Sequence, residues 1–283
     1  METLKQISKI ILINLLACLT TNCQYQSLQE NDLSRNELKG NVKTTTSMSF
    51  NMDEDGNEIS ELKRKTHTRY NRQGNIEEEC VYDEESNLER KFTIQYDEKG
   101  KEISRCFYDQ DNELEGKIYS LYNKKGNIVE LQSYNLTSDD MYEQTIIKYD
   151  SKGNRAYLKQ TFLPTNSTIE IHYKYKDGLL IETISYLNKK ELLRYRKTYN
   201  EQGKVKEEEW QHEKNKSKER KNFEYDEKSN LFKVSTYRDY GSNKFYLVSE
   251  MSFEYDEHAN VIKRVSYISD KPIAEERITI EYY

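Results

Sequence analysis

Apolar residues fall on alternate positions along most of this chain. The pattern is clearest when counted back from nine regularly spaced tyrosines: Tyr70, Tyr96, Tyr122, Tyr149, Tyr175, Tyr199, Tyr225, Tyr255 and Tyr282. Two places earlier, six of the nine residues are apolar: Ile94, Ile147, Tyr173, Phe223, Phe253 and Ile280. Four places earlier, six of nine are again apolar: Phe92, Ile118, Ile171, Tyr195, Met251 and Ile278. One place earlier only Leu121 is apolar, and three places earlier only Tyr119 and Ile146. A period of two with one polar face predicts half-buried β-strands.

The tyrosines mark a repeat. Counted from each leader to the next, the spacings are 26, 26, 27, 26, 24, 26, 30 and 27. Most open the phrase Tyr-(Asp/Asn)-x-x-Gly-Asn or a one-residue variant of it, as in Tyr70-Asn71-Arg72-Gln73-Gly74-Asn75 and Tyr149-Asp150-Ser151-Lys152-Gly153-Asn154. Asp or Asn supplies side-chain-to-backbone bonds and Gly supplies positive φ, so the phrase predicts a tight turn. A second aromatic stands near the middle of each interval: Tyr82, Tyr108, Tyr134, Phe162, Tyr186, Trp210, Tyr237 and Tyr267. Each repeat is therefore two half-repeats, and each half is one strand and one turn. The fold expected is all-β, a long antiparallel meander of about 16–18 strands in a twisted or curved sheet, with a β-solenoid as the alternative. Cys80 and Cys106 separate the two. In a meander they lie on next-but-one strands, roughly 9–10 Å apart and beyond disulfide reach. In a solenoid they would stack about one strand spacing apart, near 5 Å. Two free thiols are expected.

The first residues do not share the pattern. Lys5 and Lys9 precede the apolar run Ile10 to Ala17, then Cys18. A basic head, a short apolar stretch and a small residue before the cut describe an export signal. Leu15-Leu16-Ala17-Cys18 resembles the bacterial lipobox, which implies lipidation at Cys18. The expected organisation is a signal segment over 1–23, a polar tether over 24–43 and the repeat domain over 44–283. A cell-envelope location with a lipid anchor in the membrane follows, or secretion if the anchor is absent.

The Tyr-Asp-x-x-Gly-Asn phrases resemble the YD repeats of bacterial RHS-type proteins over about Phe50 to Tyr283. The resemblance implies β-rich strand-turn-strand shells in secreted or surface proteins, some of which enclose a toxin. No toxin-like domain follows the repeats in this sequence.

Composition narrows the functions. The 283-residue chain is 35% apolar and 33% charged, with 24 Tyr, 8 Phe, 1 Trp and 2 Pro. A thick aliphatic core is not expected, and the wealth of aromatics argues against disorder. A net charge of −6 argues against nucleic acid as a partner. The four histidines lie apart from one another and from cysteine, so no metal site and no cofactor is expected. The runs Glu77-Glu78-Glu79 and Glu207-Glu208-Glu209 read as solvent-facing strand residues rather than an acid–base pair. Asn51-x-Asp53-x-Asp55-Gly56 matches the start of a calcium loop, but Leu62 stands where a bidentate Glu is required, and a worn repeat turn explains the same residues. No catalytic constellation emerges. The expected function is a non-enzymatic binding or scaffold surface for a protein or glycan at the envelope; the alternative is a component of a toxin or contact-dependent competition system. Tyr96, Tyr122, Tyr149, Tyr175, Tyr199 and Tyr225 form the candidate face, either stacking on a ligand or packing on one another.

Overall fold

The structure is a computed structural model that describes residues 31–53, 55–59, 62–136 and 140–283. The signal segment and Cys18 lie outside the described residues. Among the described residues one short helix, α1 (Asp32–Arg35), precedes β1 (Val42–Asn51), β2 (Arg64–Tyr70), β3 (Ile76–Tyr82), β4 (Leu88–Tyr96) and β5 (Glu102–Tyr108). Then come β6 (Leu114–Tyr122), β7 (Ile128–Asn135), β8 (Asp140–Tyr149), β9 (Arg155–Phe162), β10 (Ser167–Lys176) and β11 (Leu179–Leu187). The rest are β12 (Lys190–Tyr199), β13 (Val205–His212), β14 (Lys218–Tyr225), β15 (Leu231–Asp239), β16 (Tyr246–Tyr255), β17 (Val261–Ile268) and β18 (Lys271–Tyr282).

Each strand pairs antiparallel with its neighbours in sequence, as a meander requires. The ends then meet: β1 pairs with β18 from Val42↔Tyr282 to Asn51↔Ala274, and with β2 from Thr44↔Arg69 to Ser49↔Arg64. The eighteen strands close into a barrel. This corrects the expected open sheet, and it excludes the solenoid, whose strands would stack in parallel coils. Closure leaves no free edge in the ring, so strand addition by a partner has nowhere to begin. Cys80 on β3 and Cys106 on β5 are separated by β4, and both are free and buried.

The repeat phrase builds its turn as the residue types require. In the β2–β3 turn the Asn71 side chain accepts from the backbone N–H of Gln73 at 2.9 Å and of Asn75 at 3.0 Å. Gly74 closes the turn at φ 81°. The same Asx turn recurs at Asp83, Asp97, Asp109, Asn123, Asp150 and Asn200. Asp53, in the segment that matched a calcium loop, makes it too, accepting from Asp55 N and Asn57 N. Desolvation works to raise Asp83 and Asp150, but the bonds from Asn87 and Glu85 to the first, and from Asn154, Lys152 and Gly153 to the second, together outweigh it and hold both below the usual aspartate value of 3.8. At Asp226 the bond from the Asn230 backbone is the largest influence, and this carboxyl is lowered too. A depressed acid contributes stability that is fully present above its unfolded pKa and lost as pH falls through the folded one. Asn makes the same turn without titrating. The triple variant Asp83→Asn, Asp150→Asn and Asp226→Asn is therefore expected to keep its neutral-pH stability and to shift its acid-unfolding midpoint to lower pH, read by circular dichroism. An unchanged midpoint would mean the turns do not contribute to acid lability.

Nearly every hairpin also carries a β-bulge beside the turn, such as Arg69↔Glu78 followed by Tyr70↔Ile76, which leaves Glu77 unpaired. Bulges bend the bulged strand and increase twist. Repeated around the sheet, they supply the curvature that closes it.

One face of every strand lines the interior. Ile147, Leu158, Phe162, Ile169, Ile171 and Leu193 form an apolar cluster there, with Ile169 and Ile171 only 1% exposed. This cluster fills the interior along β8 to β12. The outer face is charged: Lys91–Glu78 at 3.1 Å, Arg194–Glu182 at 3.1 Å, Arg220–Glu209 at 2.8 Å and Lys263–Glu275 at 3.3 Å are ion pairs along the wall. A barrel that crosses a bilayer presents lipid with an apolar band about 25 Å tall. This wall carries ion pairs between neighbouring strands, with exposed apolar side chains such as Leu121 and Leu247 among them.

Candidate functional site: the cavity inside the barrel

The leading tyrosines end the even-numbered strands with their rings on the inner face. Six donate their hydroxyls to main-chain carbonyls on the preceding strand: Tyr96 to Ile76, Tyr122 to Glu102, Tyr149 to Ile128, Tyr199 to Leu180, Tyr225 to Val205 and Tyr255 to Leu231, at 2.6–2.8 Å. Each accepting residue directly precedes the unpaired residue of a bulge. The bulge takes that carbonyl out of the ladder, and the tyrosine satisfies it. This is why the marker is Tyr and not Phe.

The second aromatics behave differently. Tyr82, Tyr108, Tyr134, Tyr186, Tyr237 and Tyr267 pair across strands with Lys65, Lys91, Lys117, Glu170, Arg220 and Glu250, all on the outer face. Counted from the residue that pairs with the leader, as Ile76 does with Tyr70, these six share one offset along their strands. Phe162 and Trp210 are the exceptions in type and also in place. Phe162 lies one position beyond that offset from Arg155, and Trp210 one position short of it from Val205. The single step turns both to the inner face beside the apolar cluster.

Where that cluster ends, a cavity of about 880 Å³ opens along β11 to β18. One tier of its wall consists of Tyr199, Tyr225 and Tyr255 with Val205, Leu231 and Val261 between them. The next tier carries Phe223 and Phe253 together with two ion pairs. Lys197 meets Glu208 at 3.1 Å, and Arg264 meets Glu276 at 2.6 Å. Glu208 also accepts from the Tyr195 hydroxyl at 2.5 Å, and Ser47 donates to Glu276. Burial, then the nearby carboxylates of Glu37 and Glu208, pushes the Tyr225 hydroxyl up to about 12; burial and Glu208 do the same at Tyr199. These phenols stay protonated and remain donors.

Glu208 corrects the reading of the glutamate runs. Strand alternation sends Glu207 and Glu209 outward to Arg220, and Glu208 inward. Glu79 likewise accepts from the buried Thr68 hydroxyl at 3.2 Å. A run of three on a strand cannot face solvent throughout, and the period-two rule would have identified the inward member.

A strap formed by residues 31–41 crosses one end of the barrel, so the span assigned to the tether is folded from residue 31 onward. Asn31 donates from Nδ2 to the carbonyl of Gln73 at 2.6 Å, and Leu33 N donates to the carbonyl of Gly74 at 2.9 Å. Asp32 Oδ2 accepts from Ile76 N at 2.7 Å and from the Tyr96 hydroxyl at 3.2 Å. At the other end Lys39 N donates to Asn260 Oδ1 at 2.7 Å, and Asn260 Nδ2 returns a bond to the carbonyl of Lys39 at 3.0 Å. A Cβ at Gly74 would sit 2.3 Å from Asn31 Nδ2, so this glycine serves both the turn and the strap. Between its anchors, Ser34 and Asn36 to Lys39 border the cavity, with Asn36 Nδ2 donating to the Tyr70 hydroxyl at 3.3 Å.

The candidate tyrosines therefore divide. Tyr199 and Tyr225 line the cavity, joined by Tyr70 and Tyr255, which the candidate set omitted although both are leaders of the same repeat. Tyr149 packs against the apolar cluster instead. Tyr96 is tied to the strap through Asp32. Tyr122 carries Lys101 over its ring at 5.3 Å, and Tyr175 is half-buried at the end of β10. Among the described residues no group of three His, Cys, Asp or Glu side chains converges as a metal site.

No family model and no curated protein matches the chain. Among solved structures it is similar to a porin-like protein from Bacteroides uniformis, at 8% identity and a TM-score of 0.45, covering 85% of this chain and 96% of that one. A porin-like protein from Bacteroides vulgatus is similar at 11% identity and a TM-score of 0.39, over 87% of this chain and 99% of that one. The TcdB2-TccC3-Cdc42 structure is similar at 10% identity and a TM-score of 0.34, over 78% of this chain. The chain spans only 15% of the length of that protein. At these scores the barrel assignment rests on the closed strand order of this chain alone.

Proposed function

We propose that this is a non-enzymatic binding protein of the cell envelope, tied to a membrane through lipid on Cys18, with its ligand site inside the barrel. The observation that carries the reading is the strapped cavity of about 880 Å³ walled by Tyr199, Tyr225 and Tyr255. Its volume lies within the range of about 300–1,000 Å³ typical of small-molecule sites. Two carboxylates of its wall, Glu208 and Glu276, are engaged with Lys197, Tyr195, Arg264 and Ser47, which suits them to positioning a ligand. The envelope location rests on the lipobox-like Leu15-Leu16-Ala17-Cys18 and on the YD-type repeat.

The test is ligand-dependent thermal stability of the purified protein against fractionated envelope extract. A ligand at about 100 times its Kd adds roughly 2.7 kcal/mol, about 5–10 °C in Tm for a domain of this size. Val205→Trp, which fills the tyrosine tier, is expected to abolish that shift while the variant still melts cooperatively. A shift that survives Val205→Trp unchanged places the site elsewhere.

A further inference from the structure

Resting on the interior-site reading, we infer that the cavity takes a short neutral oligosaccharide, a di- or trisaccharide, stacked on the tyrosine tier with its hydroxyls turned to the two ion pairs. Three features of the wall lead there.

The first is the state of the tyrosines. Tyr199, Tyr225 and Tyr255 spend their hydroxyl protons on main-chain carbonyls. What Tyr199 and Tyr255 present is ring surface, fixed in place before any ligand arrives, while Tyr225 has one face under Lys204 Nζ at 5.0 Å and offers the other. Fixed aromatic faces suit the flat apolar face of a pyranose, and a pre-ordered platform avoids the cost of immobilising side chains on binding.

The second is the charge balance. Lys39, Lys197, Lys204 and Arg264 stand against Glu37, Glu208 and Glu276 in the lining, four cations to three carboxylates. Lys197 with Glu208 and Arg264 with Glu276 are already paired. A charged group set against these two pairs would draw one member out and strand the other in a confined site, which is costly, and Lys204 is held by the carbonyl of Ser229. A purely apolar ligand would strip water from both pairs with nothing to replace it. A neutral polyhydroxylated ligand does neither. Its hydroxyls donate to the free lone pairs of Glu208 and Glu276, and they accept from the remaining N–H groups of Arg264, whose fork holds five donors.

The third is the gradation from tier to tier. Aliphatic and aromatic groups fill the tier of Tyr199 and Val205, and the charged pairs lie in the next one. A sugar with one apolar face and a hydroxyl rim matches this order.

The protein carries its own reporter. Trp210, the sole tryptophan, lies 4.9 Å ring to ring from Tyr195, whose hydroxyl is bonded to Glu208. Titrating the purified full chain with maltotriose, cellotriose or chitotriose is expected to change Trp210 emission saturably for at least one of them. Tyr225→Leu and Glu276→Gln are expected to weaken that binding at least tenfold, while the outward-facing Lys148→Ala leaves it unchanged. Thermal melts confirm that each variant is folded, and Glu276→Gln keeps the test informative if Tyr225→Leu is not. Laurate and the dye 1-anilinonaphthalene-8-sulfonate serve as counter-ligands. If they bind saturably and the sugars do not, the oligosaccharide inference is overturned and the interior site stands. If neither class binds, the interior site falls with it.

Discussion

Replacing Tyr96, Tyr122, Tyr149, Tyr199, Tyr225 and Tyr255 together with Phe is expected to lower the stability of the barrel by about 6 kcal/mol, near 1 kcal/mol for each hydrogen bond lost. Each hydroxyl satisfies a carbonyl that a bulge has released from the ladder. The leaders stand on alternate strands, roughly 9–10 Å apart, near the distance at which mutational effects become additive. Six of them approach the whole stability of an ordinary domain, about 5–15 kcal/mol. Urea midpoints of the single, triple and sextuple variants measure the sum. A sextuple variant within about 1 kcal/mol of the parent, the worth of a single bond, would show that water satisfies these carbonyls equally well. Phe keeps the ring, so the three cavity-lining replacements are expected to retain ligand stacking, which separates the structural role of the hydroxyl from the binding role of the face.

The second large effect concerns Lys197. Its side chain is only 6% exposed and that of its partner Glu208 15%. Lys197→Met removes the cation and leaves a carboxylate in a confined interior, at a cost of about 3–5 kcal/mol. The double variant Lys197→Met with Glu208→Gln removes both charges and keeps an acceptor for the Tyr195 hydroxyl. It is expected to lose only about 1 kcal/mol, so the two changes should be strongly non-additive. The four midpoints of this cycle, measured at pH 7, decide the matter. Additive losses would mean that the pair is solvated and that the cavity is wetter than its lining implies. The outward pair Lys233–Glu250, whose side chains are 37% and 20% exposed, serves as the control and should show coupling of about 1 kcal/mol or less.

Strands and turns were legible because their determinants are local. Alternation around Ile94 and Tyr96 needs only the pleat, and Asn71 with Gly74 needs only the bond to Asn75 N and a residue tolerant of positive φ. The free thiols of Cys80 and Cys106 followed from strand spacing alone. The candidate site was legible in part. Periodicity picked out Tyr199 and Tyr225, but it could not separate them from Tyr149, which occupies the same slot in its own repeat and packs on the apolar cluster. Glu208 was within reach of the pattern, since a run of three must alternate.

What the chain alone determined, then, is the repeating unit: a strand with one apolar face, an Asx turn, and a tyrosine at the end of every second strand. Tertiary structure decided the rest. Closure depends on curvature summed over bulges at successive hairpins and on β1 meeting β18 from opposite ends of the sequence, as Thr45 does Ile280. No single repeat carries that information, because each strand touches only its two neighbours. The interior exists only once the ring is closed, so neither its filled side nor its open side has a local signature. The strap is decided the same way, because Lys39 and Asn260 find each other only when the ends of the barrel come together. Tyrosine abundance is thus written into the repeat, and which tyrosines border a cavity is written only into the closed barrel.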